Sequence, residues 1–290
     1  MQTFENHFRM TDGFSLFYRK WIPANPVERV VLCFHGIEAH SGAFDFMGKE
    51  LSLSNCEVYA FDRRGFGNSV EAGFHRGDAS SFNRHLADVD EVVAFVRSEH
   101  PGKKLYLFGH SIGCAYVLWY TANNPDSVDG LILAATPVVP GFKLPTREVI
   151  ELPLESVFEP HHMFDLLDEW PQVFKESEEY GLLTGDELCT KNFAVGWLVN
   201  VQTKLANKML SNASKIDKPA LVIQGDADVI ACPQGAVQVM DHLKSSDKML
   251  RTFVGADHYF FQALIPSVGS RYSVEARLSV SGVVRDWLIR

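Results

Sequence analysis

The sequence has 290 residues, of which 46% are hydrophobic and 22% charged, as expected of one large globular domain or a domain with an insertion. The formal net charge of −9 excludes the basic face that nucleic-acid binding requires, and it disfavours attraction to an anionic membrane surface. Five cysteines without a CxxC pair predict neither a disulfide framework nor a zinc site.

Targeting signals are not evident in the sequence. Residues 1–20 lack the basic start and apolar run of a signal peptide, and no stretch reaches the ~18 apolar residues of a membrane span. Together with the cysteine usage, this predicts a cytoplasmic protein without a transmembrane segment.

Short apolar runs alternate with helical patterns over the first half of the chain. Strands are predicted at 29–34, 57–62, 105–108 and 131–135, and helices at 43–53, 82–96 and 112–122. A further antiparallel strand or hairpin is expected at 13–22, before this series. The alternation predicts an α/β fold whose mostly parallel, eight-stranded sheet is covered by helices on both faces.

The alternating pattern stops at about residue 140 and resumes near 218. Between them, helical patterns follow one another without strands, and charged residues mix with aromatic ones. Afterwards come strands at 220–224 and 249–254, a helix at 234–243 and a closing helix that runs to the C-terminus. We therefore predict a core of residues 1–139 and 218–290 with a helical cap at 140–217, because the block is longer than an ordinary connection. A series of crossover helices is the alternative.

A G-x-S-x-G pattern lies at 109–113, directly between a predicted strand and a predicted apolar helix. A turn this sharp needs small flanking residues, and it projects Ser111 at the N-terminus of the helix. The pattern alone is short, and a helix-capping serine would be the structural alternative. The strand–turn–helix context predicts that Ser111 is a nucleophile.

A serine hydroxyl needs a general base, and the chain offers eleven histidines. In this topology the base follows the last strand, where only His258 stands. His161 and His162 fall in the inserted block, where a surface or cap position is expected. We therefore predict His258 as the base.

The base needs an acidic partner to fix its tautomer. The strand at 220–224 is followed by two candidates, Asp226 and Asp228, whereas residues 136–142 contain no acid. We predict Asp228 as the partner and Asp226 as a residue that supports the turn. The order Ser, Asp, His is the one expected for this fold.

Two backbone N–H groups are expected to stabilise a developing oxyanion. One belongs to Ile112, after the nucleophile, and the other to Ile37, in the loop after the strand at 29–34. His35 is expected to order that loop. No metal site is predicted, since His161 and His162 lack further ligands at a suitable spacing.

Five sequence features occur together and in order: His35–Gly42, Asp62–Ser69, the 109–113 pattern, Gly225-x-x-Asp228 and His258. In these the chain resembles the monoacylglycerol lipase and lysophospholipase-like branch (serine aminopeptidase-like) of the α/β-hydrolases. The resemblance covers the sheet domain and implies hydrolysis of carboxylic esters, often with one fatty acyl chain, under a helical cap. It implies no cofactor, and a small-molecule ester as the binding partner.

Glu38 departs from the pattern of related lipases, which often have a small residue beside the oxyanion loop. A solvated or loop-bracing charge is expected there; if the side chain pointed inward, it would disfavour anionic substrates. In the cap, six apolar residues could line an acyl pocket or pack between cap and core: Leu154, Phe158, Phe164, Leu166, Leu167 and Phe174.

Other functions remain open with the same three residues. A thioesterase, a carbon–carbon bond hydrolase, a cofactor-free haloperoxidase and an aminopeptidase all use this chemistry. An aminopeptidase would need an acidic cluster, for which Glu176, Glu178 and Glu179 are candidates, although a solvated helix face also explains them. A ligand receptor on a hydrolase scaffold is the alternative from another class.

Overall fold

The computed structural model describes residues 1–141, 146–260 and 274–290. Ten strands lie in these ranges: β1 Gln2–Arg9, β2 Ser15–Ile22, β3 Arg29–Phe34, β4 Cys56–Phe61, β5 Lys104–His110, β6 Gly130–Ala134, β7 Met163–Asp165, β8 Asn192–Ala194, β9 Ala220–Gly225 and β10 Lys248–Phe253.

Ten α-helices lie in the same ranges: α1 Asp45–Ser52, α2 Phe82–Glu99, α3 Gly113–Asn123, α4 Thr146–Phe158, α5 Gln172–Lys175, α6 Glu178–Gly185, α7 Val195–Asn200, α8 Met209–Ala213, α9 Gln234–His242 and α10 Val274–Leu288. None of the helices in this part of the chain is both long and apolar enough to cross a bilayer.

Eight strands form one sheet in the order β1-β2-β4-β3-β5-β6-β9-β10. The pairs β1–β2 and β2–β4 are antiparallel, and the other five adjacent pairs are parallel. The predicted mostly parallel, eight-stranded sheet is therefore confirmed. Its parallel strands end at one edge, where the loops after β3, β5, β9 and β10 carry the candidate site residues.

Strand β3 shows why the central strands are apolar throughout. Its alternate residues Val30 and Leu32 face a cluster that includes residues of α2, α3 and α9. Val31 and Cys33 face the opposite cluster, which includes residues of α1 and α10. Because helices cover both faces, the strand has no solvent-facing side, and the usual alternation of polar and apolar residues is absent.

The N-terminal edge extends beyond the predicted strand or hairpin at 13–22. Strand β2 pairs with β4 on one side and with β1 on the other, so residues 2–22 form an antiparallel hairpin. In β1 only Phe8 is buried. An edge strand with one buried side chain gives little hydrophobic pattern, which explains why β1 was not predicted.

The segment between β6 and β9 contains helices α4 to α8 and the short antiparallel pair of β7 and β8. The expectation that this block lacks strands was wrong. Each of the two strands has three residues, too few to show a periodicity of two. The core and cap boundaries, 1–139 with 218–290 and 140–217, stay a prediction, and residues 142–145 lie outside the described ranges.

Candidate active site

Ser111 lies in a sharp turn between β5 and α3, with a positive φ of 53° that few non-glycine residues adopt. A Cβ on Gly109 would lie 2.6 Å from the backbone of Cys114, and one on Gly113 would lie 2.0 Å from the Phe34 carbonyl oxygen. Only glycine fits at either position. The two glycines therefore allow the crowded turn that presents Ser111 at the N-terminus of α3.

The structure brings together the three side chains that were predicted as nucleophile, general base and acidic partner. The Nε2 atom of His258 lies 3.0 Å from Ser111 Oγ, and its Nδ1 atom lies 2.8 Å from Asp228 Oδ2. Because the Asp228 carboxylate only accepts hydrogen bonds, the Nδ1 atom carries the proton. The lone pair on Nε2 then faces the Ser111 hydroxyl, which is the arrangement that a general base requires.

Both oxygens of the Asp228 carboxylate accept hydrogen bonds. Its Oδ1 accepts from the backbone N–H groups of Ile230 and Ala231, at 2.9 and 2.8 Å, and its Oδ2 also accepts from Gln224 Nε2 at 3.0 Å. Burial alone would raise the pKa of Asp228. The charge and hydrogen bond of His258, together with the backbone N–H groups of Ile230 and Ala231, lower this pKa by more than burial raises it, so the net shift is downward. The carboxylate is thus held ionised and oriented.

Asp226 has a different place. It is exposed, and its Oδ1 accepts from the backbone N–H of Gly255 at 2.6 Å. This bond joins the loop after β9 to the turn after β10. Asp226 therefore braces the turn beside the site and makes no described contact with His258.

The His258 imidazole is buried, which lowers its pKa, but the Asp228 carboxylate and, after it, Glu38 raise the pKa, and the net shift is upward. Its neighbour His110 behaves in the opposite way, because burial and the charge of His258 lower the pKa of His110 to about 3. Neutral His110 donates from Nε2 to the backbone carbonyl of His258 at 2.9 Å. This bond fixes the backbone that carries the candidate base.

The two predicted oxyanion donors lie on loops that meet at the elbow. Ile112 directly follows Ser111, and Ile37 belongs to the loop after β3. The carbonyls of Phe34, at the end of β3, and of His35 would crowd a Cβ on Gly113. Within the described ranges, neither the Ile37 nor the Ile112 backbone N–H has a hydrogen-bond acceptor. Their role as oxyanion donors stays a prediction.

A buried arginine, which the sequence analysis missed, holds the loop after β3. The Arg63 guanidinium donates to the carbonyl oxygens of His35, Gly36 and Ile37, with Gly36 at 2.6 Å. Arg63 lies over the Phe66 ring, 4.8 Å from its centroid. Burial lowers the pKa of Arg63 to about 10, so it remains charged at neutral pH. The only sequence signal was its place in the Asp62–Ser69 loop.

His35 has the loop-ordering contacts that were expected of it. Its Nδ1–H donates to the Gly36 carbonyl at 2.9 Å, and its Nε2 accepts from the backbone N–H of Arg63 at 3.1 Å. Burial and the charge of Arg63 lower the pKa of His35. A neutral imidazole therefore links the loop after β3 to the loop after β4.

Glu38 is buried, with only 1% of its surface exposed, so the expected solvated role was wrong for this residue. Its Oε1 accepts from the Tyr259 hydroxyl at 3.0 Å, and its backbone carbonyl accepts from the Thr190 N–H at 2.7 Å. Its Oε2 atom is buried without a hydrogen-bond partner among the described residues. The first two contacts agree with the loop-bracing alternative.

The six apolar cap residues divide into three groups. Leu154 is 59% exposed and Phe158 80% exposed, so these two do not line a buried acyl pocket in this conformation. Leu167 and Phe174 are buried in a cluster that also includes Tyr259 from the loop after β10. The Phe174 and Tyr259 rings stack with centroids 5.6 Å apart. This pair therefore packs between the cap and the core. Two more of the predicted residues pack on the main core, Phe164 and Leu166.

Two histidine–carboxylate pairs connect the inserted block to the core. His40 donates from Nε2 to Asp186 Oδ2 at 2.9 Å, because its Nδ1 accepts from the Gly42 N–H. His161, half-exposed as expected, pairs with Asp78 at 2.9 Å. His162 is likewise half-exposed.

Cys189 completes a buried N, O and S group with His40 and Asp186, whose donor atoms lie within 4.8 Å of one another. Because His40 Nε2 donates to Asp186 within this group, it forms a hydrogen-bonded link between the loop after β3 and the inserted block. A cavity of about 470 Å³ opens beside Asp186 and Cys189, and its lining does not include Ser111. All five cysteines are free.

The acidic cluster considered for an aminopeptidase is described only in part. Glu176 is exposed and accepts a hydrogen bond from Gln172 at 2.8 Å, whereas the side chains of Glu178 and Glu179 lie outside the described residues.

The fold and the geometry around Ser111 together define an α/β-hydrolase. A profile of the family described as "Serine aminopeptidase, S33" matches residues 25–262. The chain belongs to this family.

Relatives and solved structures extend this finding. Human monoglyceride lipase is 27% identical over 285 residues, which are 95% of this chain and 89% of that protein. The monoacylglycerol lipase of Mycolicibacterium smegmatis is 24% identical over 257 residues, 89% of this chain and 90% of that one. The crystal structure of Paleococcus ferrophilus monoacylglycerol lipase has a TM-score of 0.74 at 23% identity and covers 94% of this chain and 98% of its own. The predicted α/β-hydrolase class, the monoglyceride lipase-like branch and the prediction of an enzyme are confirmed.

Proposed function

We propose that this protein is a serine esterase that cleaves carboxylic esters carrying one fatty acyl chain, as a monoacylglycerol lipase or lysophospholipase does. The observation that carries the proposal is the continuous contact from Asp228 through His258 to Ser111, at 2.8 and 3.0 Å, in an elbow at a helix N-terminus. The names of the relatives, monoglyceride and monoacylglycerol lipases, support the ester substrate.

In the acylation step, His258 Nε2 removes the proton from Ser111 Oγ as this oxygen attacks the ester carbonyl carbon. The carbonyl oxygen becomes an oxyanion, which the N–H groups of Ile37 and Ile112 stabilise. The Asp228 carboxylate stabilises the imidazolium that has formed. The tetrahedral intermediate then collapses as His258 donates its proton to the leaving alcohol, which leaves an acyl-enzyme on Ser111.

Deacylation repeats these steps with water as the nucleophile. His258 removes a proton from water, the hydroxide attacks the acyl carbonyl, and Ser111 leaves with the proton that His258 returns. The products are a fatty acid and the regenerated serine. The steps need no redox group, and the partner is a small-molecule ester. The five free cysteines support the further proposal of a cytoplasmic setting.

Hydrolysis of a p-nitrophenyl ester series from acetate to palmitate, and of monoacylglycerols, tests the proposal. Wild type should give a rate that peaks at medium or long chains. Ser111→Ala should lose at least about 10⁴-fold in kcat, because the nucleophile is gone. The matched control is Ser98→Ala, in an exposed serine of α2, which should retain wild-type kcat.

Equal activity of Ser111→Ala and wild type would overturn the mechanism. A Ser111-dependent rate confined to acetate or butyrate would overturn the fatty acyl substrate and leave a small-ester hydrolase. Faster hydrolysis of acyl thioesters or aminoacyl anilides would move the function to a thioesterase or an aminopeptidase. A single turnover without further product would favour a receptor.

A further inference from the structure

Glu38 is a buried carboxyl group that the proposed mechanism does not use. One carboxylate oxygen accepts from the Tyr259 hydroxyl at 3.0 Å, and the other is buried without a partner among the described residues. An unpaired buried polar atom costs free energy, about 1–3 kcal/mol in general. The stability of the carboxylate at this place therefore depends on the groups that surround it.

The surroundings of Glu38 are the immediate neighbours of the candidate base. Tyr259 follows His258 in the chain, and the two rings are 5.2 Å apart at 81°. His110 also lies close, because a Cβ on Gly36 would be 3.1 Å from His110 Nδ1 and 3.3 Å from Glu38 Oε1. Glu38, His110 and Tyr259 thus form a buried group beside His258.

Two charged groups, His258 and Arg63, act on Glu38. Burial raises the pKa of Glu38. Four groups lower it, namely its own backbone N–H, His258, the Tyr259 hydroxyl and Arg63, but burial outweighs them and the net shift is upward. Neutral His110 adds no charge, since burial lowers its pKa to about 3. Cys189 is a neutral thiol at this place, because burial raises its pKa. The positive charges that favour ionised Glu38 are those of Arg63 and protonated His258, and Asp257 is a further acid that raises the pKa of His258 after Asp228 and Glu38.

We infer that Glu38 is a positioning residue, a second carboxylate held by the Tyr259 hydroxyl, whose negative charge stabilises the protonated form of His258 during hydrolysis. The inference rests on the proposed function, since it assigns Glu38 to the same reaction. In the interior, charges are screened far less than in water, so a carboxylate that makes no described hydrogen bond to His258 still acts on the imidazolium.

The consequence is a shift in pH dependence with a defined sign. The acid limb of kcat/KM reports deprotonation of His258 in the free enzyme. Glu38→Gln removes the charge and keeps an oxygen for the Tyr259 hydroxyl, so the imidazolium loses support and His258 releases its proton at lower pH. We expect the acid limb to move down by about one pH unit, and kcat on the plateau to fall by about tenfold.

The matched control is Glu187→Gln, the same substitution at an exposed carboxylate in the inserted block, which should keep the wild-type profile. Tyr259→Phe removes the hydrogen bond that favours ionised Glu38, so its acid limb should move in the same direction. In the double variant the shift should not exceed that of Glu38→Gln alone, because both substitutions act through one charge.

An unchanged acid limb in Glu38→Gln, with only a loss of kcat or of thermal stability, would mean a structural role and overturn the inference while ester hydrolysis stands. If wild type hydrolyses no ester, the proposed function fails, and NMR titration of the His258 ring in wild type and Glu38→Gln decides the inference alone. A lower His258 pKa in the variant supports it, and equal values overturn it. If Glu38→Gln does not fold, the same titration with Tyr259→Phe gives the answer.

Discussion

Asp226 and Asp228 lie two residues apart on one loop, yet their carboxylates have different partners. Asp228 is buried and accepts from His258, whereas Asp226 is exposed and accepts from the Gly255 N–H. The separation arises because the backbone N–H groups of Ile230 and Ala231 turn toward Asp228 alone. At the scale of single residues, backbone hydrogen-bond donors therefore determine which carboxylate lies next to the proposed base.

Asp228→Asn should lower kcat by about ten-thousand-fold, because an amide at this position stabilises the wrong tautomer of His258. Asp226→Asn should change kcat by less than about twofold, as expected of an exposed group. Steady-state kinetics on one ester measures both variants, with circular dichroism as the folding control. If Asp226→Asn proved the more damaging substitution, the acid would be reassigned.

At the scale of elements, the turn from β5 to α3 depends on the loop after β3. Gly113 lies so close to the Phe34 carbonyl that there is no room for a side chain at this position. The same loop is held from its other side by Arg63. The nucleophile elbow and the proposed oxyanion loop therefore form one packed unit, and displacement of either moves the other.

Gly113→Ala should lower the free energy of unfolding by about 3 kcal/mol, because the new Cβ meets backbone atoms that cannot move aside. Gly181→Ala, within α6, is the matched control: a Cβ there meets nothing within 4 Å. It should raise stability by about 0.5–1 kcal/mol through helix propensity. Urea unfolding of both variants gives the comparison. A Gly113→Ala protein as stable as wild type would contradict the packing described for the elbow.

The elbow was predictable because its signals are local. The glycine spacing at 109–113 and the strand before it lie within ten residues, and the positions of His258 and Asp228 follow from strand ends. Burial of Glu38 was not predictable, because it depends on Tyr259, 221 residues away in the chain. The apolar character of Phe158 was equally uninformative, since a side chain of this type lies either inside or, as here, at the surface.

At the scale of the whole molecule, the inserted block is joined to the sheet domain by a third apolar cluster. Phe174 and Trp170 of the block pack there with Ile230 and Tyr259 of the sheet domain. Two histidine–carboxylate pairs add to this junction. Because Tyr259 follows the candidate base, packing of the block bears directly on the position of His258.

Phe174→Ala should lower the free energy of unfolding by about 3 kcal/mol, since it leaves a cavity beneath Tyr259. The adjacent Val173 is 65% exposed, and Val173→Ala should change stability by no more than about 0.5 kcal/mol. Thermal denaturation compares the two, and limited proteolysis should cut the block faster in the Phe174 variant. Equal stability of both variants would show that the third cluster does not hold the block.

The contact between Ser111 and His258 joins residues 147 positions apart. During translation, Ser111 is made 147 residues before His258, and a domain generally folds as a unit. A nascent chain that has not yet reached residue 258 holds its serine without the proposed base. The order of the two residues along the chain thus links any activation of the serine by His258 to completion of the sheet, whose last described strand, β10, ends at Phe253.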